Sequence, residues 1–156
     1  MNVANRVETY LIPALFEALQ EDRLVTIATI DEESGHPAVH AISWIRALDE
    51  HTLRIAVHSH SRMVRNLKHH PAVAVHLLAN ESAYAISGTG KILTEKAAGI
   101  PVQTAIIEIS VSEIRDVMFY GSKVISEPRH EKTYDEQAAK KLDNQVLEAL
   151  QKRADL

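Results

Sequence analysis

Residues 53–78 read LRIAVHSHSRMVRNLKHHPAVAVHLL, and their pattern decides the fold. Two apolar runs, 53–57 and 72–78, are strand-like, and a polar, basic stretch separates them. That stretch, 58–71, predicts one short helix. Ser59 or Ser61 can cap its start, because a serine oxygen accepts a hydrogen bond from a free amide of the first turn. Pro71 ends it, since proline disfavours helix at the residue before it. Arg62 and Arg65 are three apart and share a face. A strand therefore delivers a helix start carrying free amides, serine hydroxyls and two guanidiniums. That chemistry suits a phosphate monoester; the alternative is a solvated basic turn that binds nothing.

Outward from this stretch the chain reads mostly as strands. Residues 24–30 (LVTIATI) are rich in branched side chains. Residues 31–36 form a turn in which Gly35 is free to take a positive φ. Residues 37–46 (PAVHAISWIR) are a second strand, 48–52 a turn and 53–58 a third strand. After the short helix come 72–78, then 82–93 across Asn80-Glu81, and a sixth strand within 104–118. Short turns between successive strands predict an antiparallel arrangement, and closing it into a barrel removes exposed edges. The expectation is a mainly β fold, a six-stranded antiparallel split β-barrel with N- and C-terminal helices. One domain spans 1–156, with its barrel core at about 24–118.

Val7, Leu11, Leu15 and Leu19 recur every four residues behind a weak Asn5/Glu8 capping box, and predict an amphipathic helix up to about Glu21. Pro13 either kinks that helix or begins it. At the other end Thr133 and Glu136 form a capping box. Ala139, Leu142, Val146 and Leu150 then mark one apolar stripe of a helix at about 134–153, with Lys152 and Arg153 at its carbonyl end. Residues 120–132 read as a loop. Alternation along 37–46 puts Ala38, His40, Ile42, Trp44 and Arg46 on one side, an interface, a ligand-groove wall or a partly exposed sheet face.

Composition narrows the chemistry. A net charge of −4 argues against a nucleic-acid partner, which clustered positive charge would bind. The absence of cysteine removes disulfides, thiolate catalysis and zinc–thiolate sites. The first residues, MNVANRVETY, lack a signal-peptide pattern, and no apolar run approaches the roughly 20 residues of a membrane helix, so a cytoplasmic protein without a membrane partner is expected. Nine histidines raise the question of a metal. The only pair four apart, His36 and His40, lies on a turn and a strand, where the helical-face argument fails. His58 and His60 could chelate from an extended segment, and His69 and His70 point apart on a helix. No metal site is expected. No GxSxG elbow presents a nucleophile, and Gly88-Thr89-Gly90 lacks the remainder of a dinucleotide fingerprint; it reads as a bulge or barrel corner.

The ordered combination of LVTIATI, Gly35-His36-Pro37, PAVHAISWIR, LRIAVHS, SRMVRNLKHHPAVAVHLL and YAISGTGKIL resembles the FMN-binding split barrel of the pyridoxamine 5'-phosphate oxidase superfamily. It is similar in style to the short, general-stress-protein-like branch, over about residues 24–93. The family motif runs Ser-Arg-Lys, then Arg-Asn-Leu and Asn-Pro; Ser61, Arg62, Arg65, Asn66, Leu67 and Pro71 match it. The resemblance implies that Ser61 and Arg62 hold the FMN phosphate, with Arg65 in support. Met63 stands where the lysine is expected, and Val57 where the family has a threonine beside the phosphate. Arg46 ends the strand that lines the flavin in the family, and Ser43 and Trp44 would offer backbone contacts to the isoalloxazine edge. The resemblance also implies a homodimer with two flavin clefts at its interface, acting as a small FMN-dependent oxidoreductase on a small molecule that the sequence does not identify. No catalytic residue is assigned. The C-terminal helix lacks the arginine and histidine motif of the true oxidases, so pyridoxamine phosphate is not the expected substrate. Met63 and Val57 favour a second reading, a flavin or haem carrier without turnover. A third is a dimer that has lost its ligand.

Overall fold

The structure, a computed structural model, describes residues 6–152. Its strands are β1 (Val7–Glu8), β2 (Val25–Ile30), β3 (Pro37–Ile42), β4 (Ile45–Asp49), β5 (Thr52–His58), β6 (Ala72–Ala79), β7 (Ser82–Thr94) and β8 (Thr104–Asp116). Three helices join them: α1 (Pro13–Ala18), α2 (Arg62–His69) and α3 (Glu136–Gln151). All strand pairs are antiparallel, in the order β3-β2-β6-β7-β8-β5-β4, with β1 added on β8. The outermost strands of this order, β3 and β4, follow one another in the chain across Ser43 and Trp44, so the sheet curls back on itself as a split barrel.

Two departures from the sequence reading raise the strand number from six to eight. The stretch 37–46 is not one strand. It breaks at Ser43 and Trp44, where the Ile45 amide folds back on the Ser43 carbonyl at 3.0 Å and the Trp44 carbonyl accepts from Ala56 N at 3.0 Å. The alternation read across that break therefore fails: Ile45, Arg46 and Ala47 are all buried in succession. At the N-terminus, Val7 and Glu8 pair with β8 instead of starting a helix, and Asn5 lies outside the described residues. The helix begins at Pro13, the second of the two arrangements its position allowed, with φ pre-set for a first turn and no amide to satisfy.

Elsewhere the local chemistry acts as expected. Gly35 takes φ 75° in the β2–β3 turn. Asn80 and Glu81 take φ 50° and 60° and form the tight β6–β7 hairpin, a left-handed pair whose twist matches the strands. Gly88 sits at a register shift of β7 against β8, where a Cβ would collide with the Ser110 carbonyl oxygen. Leu67 fills the space over Gly90.

Inside the barrel Leu11, Leu15, Ile27, Ile55, Leu77, Ile86 and Ile107 form a buried core that α2 closes from one end with Met63, Val64 and Leu67. Asn66, also buried, fixes that helix: its Nδ2 donates to Thr29 Oγ1 at 3.0 Å, and its Oδ1 accepts from Glu32 N at 3.0 Å. A second cluster lies between the barrel and α3, where Ala139, Val146, Ala149 and Leu150 are buried and Trp44, Ala56 and Ile106 meet the helix. Asp135, not Thr133, caps α3, accepting from Ala138 N at 2.8 Å. Arg54 of β5 donates to the carbonyls of Leu150 and Lys152, satisfying acceptors that a helix end leaves open. Among the described residues no helix is long and apolar enough to cross a membrane.

Candidate functional site

Where 37–46 breaks, the barrel opens. The end of β3 (His40, Ala41, Ile42), Ser43 and Trp44, the end of β5 (Ala56, Val57, His58) and the start of α2 (Ser61, Met63) line a cleft of about 460 Å³. Lys132 and Tyr134, from the segment before α3, complete it. Five residues singled out in the sequence thus meet at one place: Ser43, Trp44, Val57, Ser61 and Met63.

Each is set by local rules. Ser61 is the N-cap of α2; its Oγ accepts from Met63 N at 3.2 Å, so the helix start faces the cleft already organised. Met63 is 1% exposed, with most of its side chain in the barrel core. A lysine there would lose that packing and would reach water only by extending its stem into the cleft, which gives a packing reason for an apolar side chain. Val57 and Ala56 make an apolar wall with Ile42. Trp44 is tethered, its Nε1 donating to Asp143 Oδ1 of α3 at 2.8 Å.

The three arginines lie elsewhere. Arg46 is buried, and its Nη1 donates to the Glu21 carbonyl at 3.0 Å and to its own Ile45 neighbour's carbonyl at 2.7 Å. Burial pulls its pKa below the ordinary arginine value, against the opposing fields of Asp22 and Asp143. Arg62 Nε stands 2.7 Å from Asp31 Oδ1, and Arg65 Nε stands 3.3 Å from Glu32 Oε1. Asp31 is held at a pKa of about 2, chiefly by the Ser34 amide and hydroxyl, with Arg62 adding to the effect, so it remains ionised at neutral pH. Both guanidiniums therefore flank α2 with carboxylates already in place, and neither lines the cleft.

Sequence reasoning missed the opposite wall. Residues 120–132 read as a loop because Gly121, Pro128 and mixed charges carry no periodicity. They do form a loop, but one strapped to the barrel: Val124 N donates to the Glu81 carbonyl at 2.9 Å, Lys123 pairs with Glu81, and Arg23 pairs with Glu127. The strap ends at the cleft, where Lys132 Nζ lies 3.2 Å from the same Asp143 oxygen that receives Trp44. Its signal was long-range pairing, which no local pattern displays.

His40 adds a polar group. Its Nδ1 is buried without a hydrogen-bond partner among the described residues, a state that a ligand donor or acceptor would relieve. His58 and His60 have ring centroids 5.6 Å apart, and His60 Nε2 meets Gln103 Oε1 at 3.0 Å. Among the described residues no three histidine or carboxylate side chains are placed to hold a metal ion.

A split barrel open at a capped helix start has known counterparts. The family model described as "Pyridoxamine 5'-phosphate oxidase" matches residues 11–141. The chain belongs to the pyridoxamine 5'-phosphate oxidase family. No curated protein matches it in sequence. Among solved structures, HupZ of Group A Streptococcus superposes with a TM-score of 0.59 at 20% identity, covering 73% of this chain and 99% of that one. General stress protein 26 of Bacillus anthracis gives 0.50 at 12% identity, covering 67% and 92%. HutZ of Vibrio cholerae, described as a heme storage protein, gives 0.51 at 13% identity, covering 71% and 93%. At these identities the likeness is one of fold.

Proposed function

We propose that this protein binds FMN in the cleft between the β3–β4 break and the start of α2, and works there as a small flavin-dependent oxidoreductase. The observation that carries the reading is the composition of that one cleft. Its walls are apolar where a flat ring needs contact, at Ile42, Ala56, Val57 and Met63, and polar at Ser61, His40 and Lys132. A volume of about 460 Å³ falls within the range of small-molecule sites. The donor set fits a phosphate-bearing aromatic group: an organised helix start, a serine hydroxyl and an ammonium. Bound flavin would supply hydride and electron transfer. The residues' own work is to bind, orient and exclude water. Trp44, fixed by Asp143, gives the cleft a rigid floor. Ser61 caps the first turn of α2 through its oxygen and keeps its hydroxyl hydrogen for an anion. Val57 and Met63 keep the apolar wall dry.

A homodimer belongs to the same reading. Strand β3 is the outer edge of the sheet, and its Val39 is 65% exposed beside the cleft residues His40 and Ala41. An uncovered edge with apolar side chains invites a second copy. Light scattering should give the mass of two chains, and a clean monomer would remove the shared-cleft picture. To separate enzyme from carrier, the FMN-loaded protein is mixed anaerobically with NADH or NADPH. Bleaching of the flavin band, reversed by oxygen or a dye, supports turnover; tight binding without reduction supports a carrier.

One observation favours a second reading. His40 with its unpartnered Nδ1 and His58 both line the cleft, and imidazole is a common ligand for haem iron. Haemin titration decides this: a shifted Soret band lost in His40→Ala and absent with FMN bound would replace flavin by haem.

A further inference from the structure

The cleft contains one lysine or arginine, and it is not one that the helix motif supplies. Among the described residues that line it, only Lys132 carries a permanent positive charge. Arg46 is turned to the Glu21 and Ile45 carbonyls, and Arg62 and Arg65, paired with Asp31 and Glu32, do not line the cleft. Met63, on the first turn of α2, is packed into the core. Lys132 shares its cleft with both Met63 and Ser61, yet comes from about seventy positions later in the chain, on the strap that precedes α3.

Its placement is fixed, not a free tether. The Lys132 side chain is 25% exposed and rests on Asp143, itself 21% exposed, at 3.2 Å. Asp143 Oδ1 also receives Trp44 Nε1 at 2.8 Å. One carboxylate oxygen therefore orients the cleft's aromatic floor and its cation together. An ammonium has three donors, and Asp143 takes one; among the described residues no other partner is recorded for Nζ. Two N–H groups remain for an anion, in a setting less wet than that of Arg62, whose side chain is 55% exposed. A charge on a partly buried site acts more strongly than the same charge in water.

Building on the FMN reading, we infer that Lys132, held by Asp143, recognises the cofactor's phosphate and takes the place of the lysine that Met63 displaces. The strap thus carries the specificity of the site. It discriminates phosphorylated from unphosphorylated flavin, whereas the apolar wall receives both.

The test is a set of titrations with FMN and riboflavin on the wild type, Lys132→Met, Lys132→Arg and Arg62→Met. The inference expects Lys132→Met to weaken FMN by roughly ten- to a hundredfold, the range for a charge-assisted contact, with riboflavin changed little. Lys132→Arg should recover most of the loss, and Arg62→Met should lose less than Lys132→Met. Wild-type-like FMN affinity in Lys132→Met, or equal losses for both flavins, overturns the inference while leaving FMN binding intact. A larger loss in Arg62→Met overturns it too. A wild type that binds neither flavin removes the FMN reading itself, and the inference with it.

Discussion

Replacing Met63 by the lysine that the family motif carries is the most instructive perturbation. Judged from sequence alone, Met63→Lys restores a phosphate-binding charge. Judged from the structure, it puts an ammonium where a side chain 1% exposed packs against the barrel core. Burying a methionine contributes about 1.5–3 kcal/mol, much of which the variant forfeits. The ammonium then either stays buried, at a cost of several kcal/mol, or stretches its stem toward the cleft and leaves poor packing behind. A net loss of about 2–4 kcal/mol follows, and for a chain of this size each kcal/mol is worth about 2–4 °C. Thermal unfolding by circular dichroism should therefore show Met63→Lys melting roughly 5–15 °C below wild type without ligand. At one FMN concentration well above Kd, the variant's melting point should rise more than the wild type's, because the phosphate neutralises the added charge and each tenfold gain in affinity adds about 1.4 kcal/mol. A ligand-free Met63→Lys that melts with the wild type would refute the reasoning, since it would mean that the side chain is not part of a packed core.

Asn66→Ala leaves buried Thr29 Oγ1 and the half-buried Glu32 amide without their partner and should cost about 1–3 kcal/mol in chemical denaturation; an unchanged midpoint would show that α2 is held by packing alone. Gly88→Ala drives a methyl into the Ser110 carbonyl and should cost about 3 kcal/mol, the upper end of overpacking, or fail to fold, whereas a wild-type midpoint would contradict the close β7–β8 approach. Asp31, with its pKa depressed to about 2, contributes stability that is complete above its ordinary carboxylate pKa and is lost as pH falls toward 2. Asp31→Asn should therefore flatten the acid limb of the stability curve between about pH 4 and pH 2, and an identical acid limb would sink that assignment.

The strands and short helix were legible because their signals are local. LVTIATI and TAIIEISVS carry branched residues in a period of two, and SRMVRNLKHHP carries a cap, a stripe and a stop. The break at Ser43-Trp44 was not legible. PAVHAISWIR carries no glycine or proline after Pro37 to mark it, and at the break Trp44 contacts Asp143, ninety-nine positions away. Val7 and Glu8 keep the spacing of a helical stripe, yet pairing with Ile114 and Arg115 of β8 overrides it. The site was half legible for the same reason. Ser61 and Met63 come from the motif, and Ser43, Trp44 and Val57 from flanking strands, all close in sequence. Lys132 and Tyr134 come from a segment without periodicity, brought to the cleft by ion pairs and backbone bonds to distant residues. Arg62 and Arg65 looked free in a linear reading because Asp31 and Glu32 sit in a turn thirty or more positions earlier.

The central claim is that the cleft at the start of α2 takes up FMN, and gel filtration of the protein after incubation with excess FMN tests it most directly. The account predicts that flavin absorbance elutes with the protein, at one FMN per chain and at the volume of a dimer. It predicts further that riboflavin treated in the same way is largely lost from the peak. A protein peak free of flavin absorbance, at a concentration where the wild type is folded, would contradict it.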